Sequence, residues 1–102
     1  MLQLKPTCEH CGKKLPPDSD EALICSYECT FCADCVEGLL ANVCPNCGGG
    51  FMPRPIRPHR EWREGVSLTH QPATTEVTEK KIDFREHAKF AAGLKGIPAG
   101  HR

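Results

Sequence analysis

"ICSYECTFCADC", residues 24–35, sets four thiols, Cys25, Cys29, Cys32 and Cys35, at every third or fourth position of the chain. That density is too high for a core made of apolar packing, and its regularity asks for a shared ligand. Outward on either side, Cys8 and Cys11 precede this stretch and Cys44 and Cys47 follow it. All eight cysteines of the 102-residue chain therefore lie between Cys8 and Cys47. The full spacing is C-x2-C-x13-C-x3-C-x2-C-x2-C-x8-C-x2-C. Two residues between thiols let a tight turn aim both sulfurs at one ion about 2.3 Å away, and zinc takes two such pairs as a tetrahedron. Four pairs make two four-sulfur sites with no cysteine left over.

The apolar content points the same way. Between Cys8 and Cys47 the large apolar residues are Leu15, Leu23, Ile24, Tyr27, Phe31, Val36, Leu39, Leu40 and Val43. Burying so few side chains does not offset the conformational entropy of ordering the segment, and pieces this small fold with the help of cross-links or metals. Disulfides belong to exported chains. The stretch "MLQLKPTCEH" shows no apolar signal core and no small-residue cleavage site, so free thiols in a reducing cytoplasm are expected. An export route not visible here would restore the disulfide reading. No run of about 18 apolar residues is present to span a membrane.

All-thiolate tetrahedral sites select zinc or iron. Iron–sulfur clusters also use four cysteines, but their local spacings usually differ from this one. Two Zn2+ are expected, and with every position filled by sulfur their role is structural and not catalytic. Two pairings remain open on spacing. Consecutive pairs can share an ion, or the first pair can join the third and the second the fourth. Only Thr30 and Phe31 separate the second pair from the third, and neighbours so close readily face different ions, which favours interleaving.

The order "CSYECTFCADC" followed by "CPNC" resembles the RING finger family, a cross-braced double-zinc module. Phe31 falls where that family buries an aromatic, Pro45 falls in the closing turn, and Cys29 stands where a histidine is usual. The resemblance implies one site from Cys8, Cys11, Cys32 and Cys35 and a second from Cys25, Cys29, Cys44 and Cys47. The opening through "CPNCGGG" is also similar to a bacterial family of short proteins of undetermined function that share an ECTFCADC core, a likeness that names no activity. The ubiquitin-ligase surface of RING fingers does not carry over. Glu9 replaces the apolar residue after the first cysteine, "VEGLLANVCP" lacks the tryptophan, and Gly48, Gly49 and Gly50 follow the last ligand where a cation is common. Fold-level likeness alone is weak warrant for activity.

The expected architecture is a small zinc-stabilised α+β unit over residues 1–50, with a short β-hairpin, one short helix and two four-cysteine sites. The hairpin pairs Ala22–Cys25 with Thr30–Phe31. The helix runs from Ala33 to Leu40, burying Val36, Leu39 and Leu40, and ends by Asn42 and Pro45. An extended Pro/Arg linker is expected over 51–65, where "GGGFMPRPIRPHREWREG" sets Pro53, Pro55 and Pro58 after three glycines. A polar, partly disordered tail spans 66–102 and carries a helix around 83–95. There Asp83 and Glu86 read as a capping box, Gly96 and Pro98 as stops, and Phe84, Ala88, Ala91 and Leu94 as an apolar face. His10 is expected to stay unliganded, and His59, His70, His87 and His101 to be solvated.

Net charge is zero, yet residues 1–50 carry three Lys and seven Asp/Glu, while residues 51–102 carry ten Lys/Arg and six Asp/Glu. An acidic head does not grip a phosphate backbone, which is bound by cationic neutralisation. It favours docking of the basic tail on the head, within one chain or between two copies, and that contact should weaken with salt. The primary expectation is a non-enzymatic interaction or adaptor module for a protein partner, with self-association open. The alternative is a nucleic-acid regulator acting through Arg54, Arg57, Arg60, Trp62 and Arg63, by phosphate contacts and base stacking. A ligase-like adaptor that binds a conjugating enzyme is the third reading.

Overall fold

Strand β1 (Ala22–Ile24) and strand β2 (Thr30–Cys32) form the expected hairpin in the computed structural model, which describes residues 1–102. The strands are antiparallel, with Ala22 opposite Cys32, Leu23 opposite Phe31 and Ile24 opposite Thr30. The turn between them places Glu28 at a φ of 68°. Helix α1 (Ala33–Gly38) leaves directly from β2, with Cys32 as its N-cap residue.

Helix α1 is shorter than expected. After Gly38 the chain turns, Leu40 N–H and Asn42 N–H donate back to Cys35 and Val36, and Ala41 and Asn42 take left-handed φ values. Val36 and Leu40 are buried, whereas Leu39 is 48% exposed. The i, i+3 and i+4 reading assumed a helix that continued to Leu40, and Gly38 with the left-handed pair prevents it.

The expected linker begins with a third strand. Strand β3 (Met52–Pro53) pairs antiparallel with β1, giving the order β2-β1-β3. Two contacts bring the chain back here. Phe51 is buried and meets Phe31 edge to face at 5.6 Å, and Phe51 N–H donates to Asn42 Oδ1 at 2.9 Å. A proline is tolerated in β3 because the strand is at the sheet margin.

The core is as thin as the sequence implied. Twenty residues are buried, and the central cluster of 12 contains Cys8, Cys25, Cys29, Cys32, Cys35 and Cys44 beside Leu15, Phe31, Leu40 and Phe51. Half of the packed interior is cysteine, so the arrangement of sulfurs and the packing of the fold are one problem.

The tail returns to the head along its length. Arg57 donates to Leu2 O and to Gln71 O, both at 2.7 Å, and Lys80 N–H donates to Glu9 O at 2.7 Å. Helix α2 (Phe84–Gly93) follows, capped by Asp83, whose carboxylate accepts from Arg85 N–H and Glu86 N–H. Its buried residue is His87 and not the expected Ala88, which is exposed. His87 Nε2 donates to Leu40 O at 2.9 Å, with Ala91 and Leu94 partly buried further along that face. At the end of the chain Arg102 donates to Asn42 O and Gly48 O. No helix is long and apolar enough to cross a membrane.

Candidate metal centres

Each C-x2-C pair sits on a local structure that turns its sulfurs together. The first pair occupies a small hairpin in which Thr7 bridges Lys14, Cys8 N–H donates to Lys13 O, and Gly12 takes a φ of 75° to close the turn. Cys32 and Cys35 lie one turn apart at the start of α1. Cys44 and Cys47 lie on a second turn, closed by Gly48 N–H to Cys44 O and by Cys44 N–H to Gly49 O, with Gly48 at a φ of 79°. Cys25 and Cys29 flank the β1–β2 turn and are joined by a bond from Cys25 N–H to Cys29 O.

The sulfurs gather in two places. Those of Cys8, Cys11, Cys32 and Cys35 lie within 4.8 Å of one another, as do those of Cys25, Cys44 and Cys47. In the first group Cys8 and Cys35 are 3.8 Å apart and Cys11 and Cys32 are 3.7 Å apart. The first pair thus meets the third, and Cys25 of the second pair meets the fourth. Cys29 stands at the edge of the second group, outside the set that lies within 4.8 Å, and its sulfur accepts from Lys80 Nζ at 3.4 Å. All eight are free cysteines. Convergent sulfurs without bonds between them are the donor set of a thiophilic metal, and the residues present fit one at each place.

Burial and hydrogen bonding divide the thiols within each group. Desolvation is the largest influence on Cys8 and raises it, but N–H groups of Cys11, Cys32 and His10 together outweigh it and leave Cys8 below the usual thiol range. Cys25 is lowered in the same way, its burial outweighed by bonds from Tyr27 and Cys29. Burial pushes Cys35 and Cys44 well up, and neighbouring sulfurs add to the rise. Burial also raises Cys29, against the pull of Lys80. Each group therefore pairs a readily ionised thiol with a reluctant one.

Residues 1–57 match the profile of a family described as a protein of unknown function, DUF1272. The chain belongs to that family. A similar sequence is an uncharacterized protein of Rhizobium meliloti (strain 1021), 59% identical over 58 residues, which is 57% of this chain and 69% of the relative. No solved structure matches. The DUF1272 segment holds all eight cysteines and runs on through β3 to Arg57, whereas Lys80 and α2 lie beyond it.

The basic residues of 54–63 are separated by the DUF1272 fold. Arg54 was expected to face a phosphate backbone but is 3% exposed. Its guanidinium donates to Lys5 O at 2.9 Å, Pro16 O at 2.9 Å and Leu15 O at 3.3 Å. The chain leaving β3 carries it inward, where it ties both flanks of the small hairpin of Cys8 and Cys11 to the sheet. Arg57 is likewise spent on carbonyls, while Arg60, Trp62 and Arg63 face solvent. Composition could not show this, because burial of Arg54 depends on a strand pairing made by distant residues. Replacing Arg54 with Ala is expected to destabilise the metal-loaded chain by about 2–4 kcal/mol, since several charge-assisted bonds go and buried carbonyls lose their donors. The denaturation midpoint of the Arg54→Ala chain measures this. An unchanged midpoint together with lost retention on nucleic acid would return Arg54 to a phosphate-binding role.

Proposed function

We propose that the chain is a non-enzymatic interaction module built on two structural zinc ions in a RING-like cross-brace. Cys8, Cys11, Cys32 and Cys35 hold one ion, and Cys25, Cys29, Cys44 and Cys47 hold the other. The observation that carries this reading is the meeting of non-consecutive pairs in two sulfur clusters. Four thiolates fill a tetrahedron and leave no position for water or substrate, which is why the metals hold structure and do not turn over a reaction. Glu9 supports the absence of ligase activity. Its buried carboxylate accepts from Thr30 N–H and pairs with Lys5 at 3.1 Å, so the position offers no apolar contact to a conjugating enzyme.

The surface for a protein partner is the groove of about 750 Å3 between residues 39–43 and α2, lined by Leu39, Val43, Ala91, Leu94 and Ile97. The charged side chains on its wall, Lys95 and Arg102, are both cationic, and no Asp or Glu lines it. The occupant this fits is an apolar segment of a protein that bears acidic residues. Metal analysis comes first, with two zincs per chain expected. Capture with the native chain and with a Leu39→Glu chain then tests the groove, because Leu39 is exposed and its replacement spares the core. A partner held by the native chain, released by Leu39→Glu at full zinc content, supports the reading. A partner held equally by both places the contact elsewhere. The exposed Trp62 beside Arg60 and Arg63 favours the nucleic-acid alternative. A salt-sensitive shift with DNA or RNA that disappears in a Trp62→Ala chain would support that alternative instead.

A further inference from the structure

Three sulfurs of the second cluster accept an N–H from two residues further along the chain. Tyr27 N–H reaches Cys25 at 3.3 Å, Asn46 N–H reaches Cys44 at 3.4 Å and Gly49 N–H reaches Cys47 at 3.4 Å. Cys29 has no such donor. The N–H that would serve it belongs to Phe31, which stands opposite Leu23 in the hairpin. The neighbouring bonds, Cys25 N–H to Cys29 O and Ala33 N–H to Glu21 O, fix the alternation of the antiparallel ladder. They put Leu23 and Phe31 in a hydrogen-bonded pair, so the Phe31 N–H is turned toward β1.

The missing donor comes from the tail. Lys80 Nζ lies 3.4 Å from Cys29 Sγ, and the lysine is anchored on both sides of its own side chain. Its backbone N–H bonds to Glu9 O at 2.7 Å, and Ile82 packs against the cysteine-rich core. No lysine or arginine donates to a sulfur of the first cluster, whose sulfurs meet one another and backbone N–H groups. Four thiolates on a divalent ion leave two negative charges, and a single ammonium at hydrogen-bond distance offsets half of that at one centre alone.

We infer that Lys80 is the outer-sphere donor of the second metal centre, and that metal binding there and docking of the tail on the head are one coupled equilibrium. The inference rests on the two-zinc reading above. Metal fixes a thiolate on Cys29, and a charge-assisted N–H to sulfur bond is stronger than one to a neutral thiol. Outer-sphere partners of metal ligands typically contribute about 10–100-fold to affinity. Linkage requires that the tail gain from metal what metal gains from the tail.

The test uses full-length chains carrying Lys80→Met, Lys80→Arg or no change. Zn2+ release to a chromogenic chelator is followed, with 113Cd spectra of the Cd2+-loaded forms. Lys80→Met is expected to weaken one of the two ions about 10–100-fold and leave the other at its native affinity. It should shift one cadmium resonance and reduce hydrogen-exchange protection of the α2 amides. Lys80→Arg, which keeps the charge and the donors, should restore most of the affinity. Two ions held with native affinity in Lys80→Met would overturn the inference and leave the two-zinc reading standing. Equal weakening of both ions, with no recovery in Lys80→Arg, would also overturn it, because that is the mark of general packing. A native chain that binds no metal removes the two-zinc reading itself.

Discussion

Excess chelator added to the reduced, metal-loaded chain is expected to unfold the head outright, with loss of the cooperative melt and of amide dispersion across residues 1–57. Zinc binding in small all-cysteine modules supplies about 10–16 kcal/mol per site, and that energy is folding energy. Little else is available here. Six of the 12 residues in the central cluster are cysteines, and side chains expected to add to the core, Tyr27 and Leu39, are 72% and 48% exposed. Thermal melts with and without chelator measure the effect. A chelated chain that still melts cooperatively would show that apolar packing suffices.

Acid should act as the chelator does. The metal-bound fold holds no protons on its ligand sulfurs, while the unfolded chain takes them up below the ordinary cysteine range, about 8.5. The unfolded state thus binds more protons, and stability falls as pH falls. In the metal-free fold the sign reverses for Cys35 and Cys44. Burial holds their protons more tightly than the unfolded chain does, so any stability they add is present at low pH and lost as pH rises. Melting temperatures of the metal-loaded chain should accordingly decline from about pH 8 down to about pH 5.

Paired cysteine replacements give the second large effect and resolve how the ligands are shared. Cys8→Ser with Cys32→Ser removes two ligands from one cluster and should leave one metal per chain. Cys8→Ser with Cys25→Ser takes one ligand from each cluster and should abolish both ions, because a three-thiolate remnant with an open position binds far more weakly. Consecutive sharing reverses the two results: the first double replacement would then strike both sites and the second only one. Metal content by elemental analysis distinguishes them without reference to any activity.

The hairpin and the α2 cap were legible because each is written locally, and the presence of two thiol clusters was legible from the paired spacing. Cys32 ends β2 and stands at the N-cap position of α1, and Asp83 meets the N–H groups of Arg85 and Glu86 in the first turn of α2. The features that the local sequence does not show depend on residues far apart. β3 looks like linker in isolation, since Met52 and Pro53 have little strand character, and it forms because Phe51 finds Phe31. Arg54 looks like a solvent cation until that strand turns it toward the carbonyls of Lys5, Leu15 and Pro16. His87 looks solvated until α2 places it over Leu40. The Cys29–Lys80 contact joins residues 51 positions apart, and the one available cue was the extra residue of C-x3-C, which puts Phe31 into the ladder.

The proline in β3 has a consequence for assembly. An exposed strand margin with unspent N–H groups invites a neighbouring molecule to add a strand, the first step of many unwanted polymers. On this side of the sheet Pro53 has no N–H to offer, and Pro55 just beyond it has none either. Growth by strand addition is obstructed at that border, so two copies that meet there must do so through side chains.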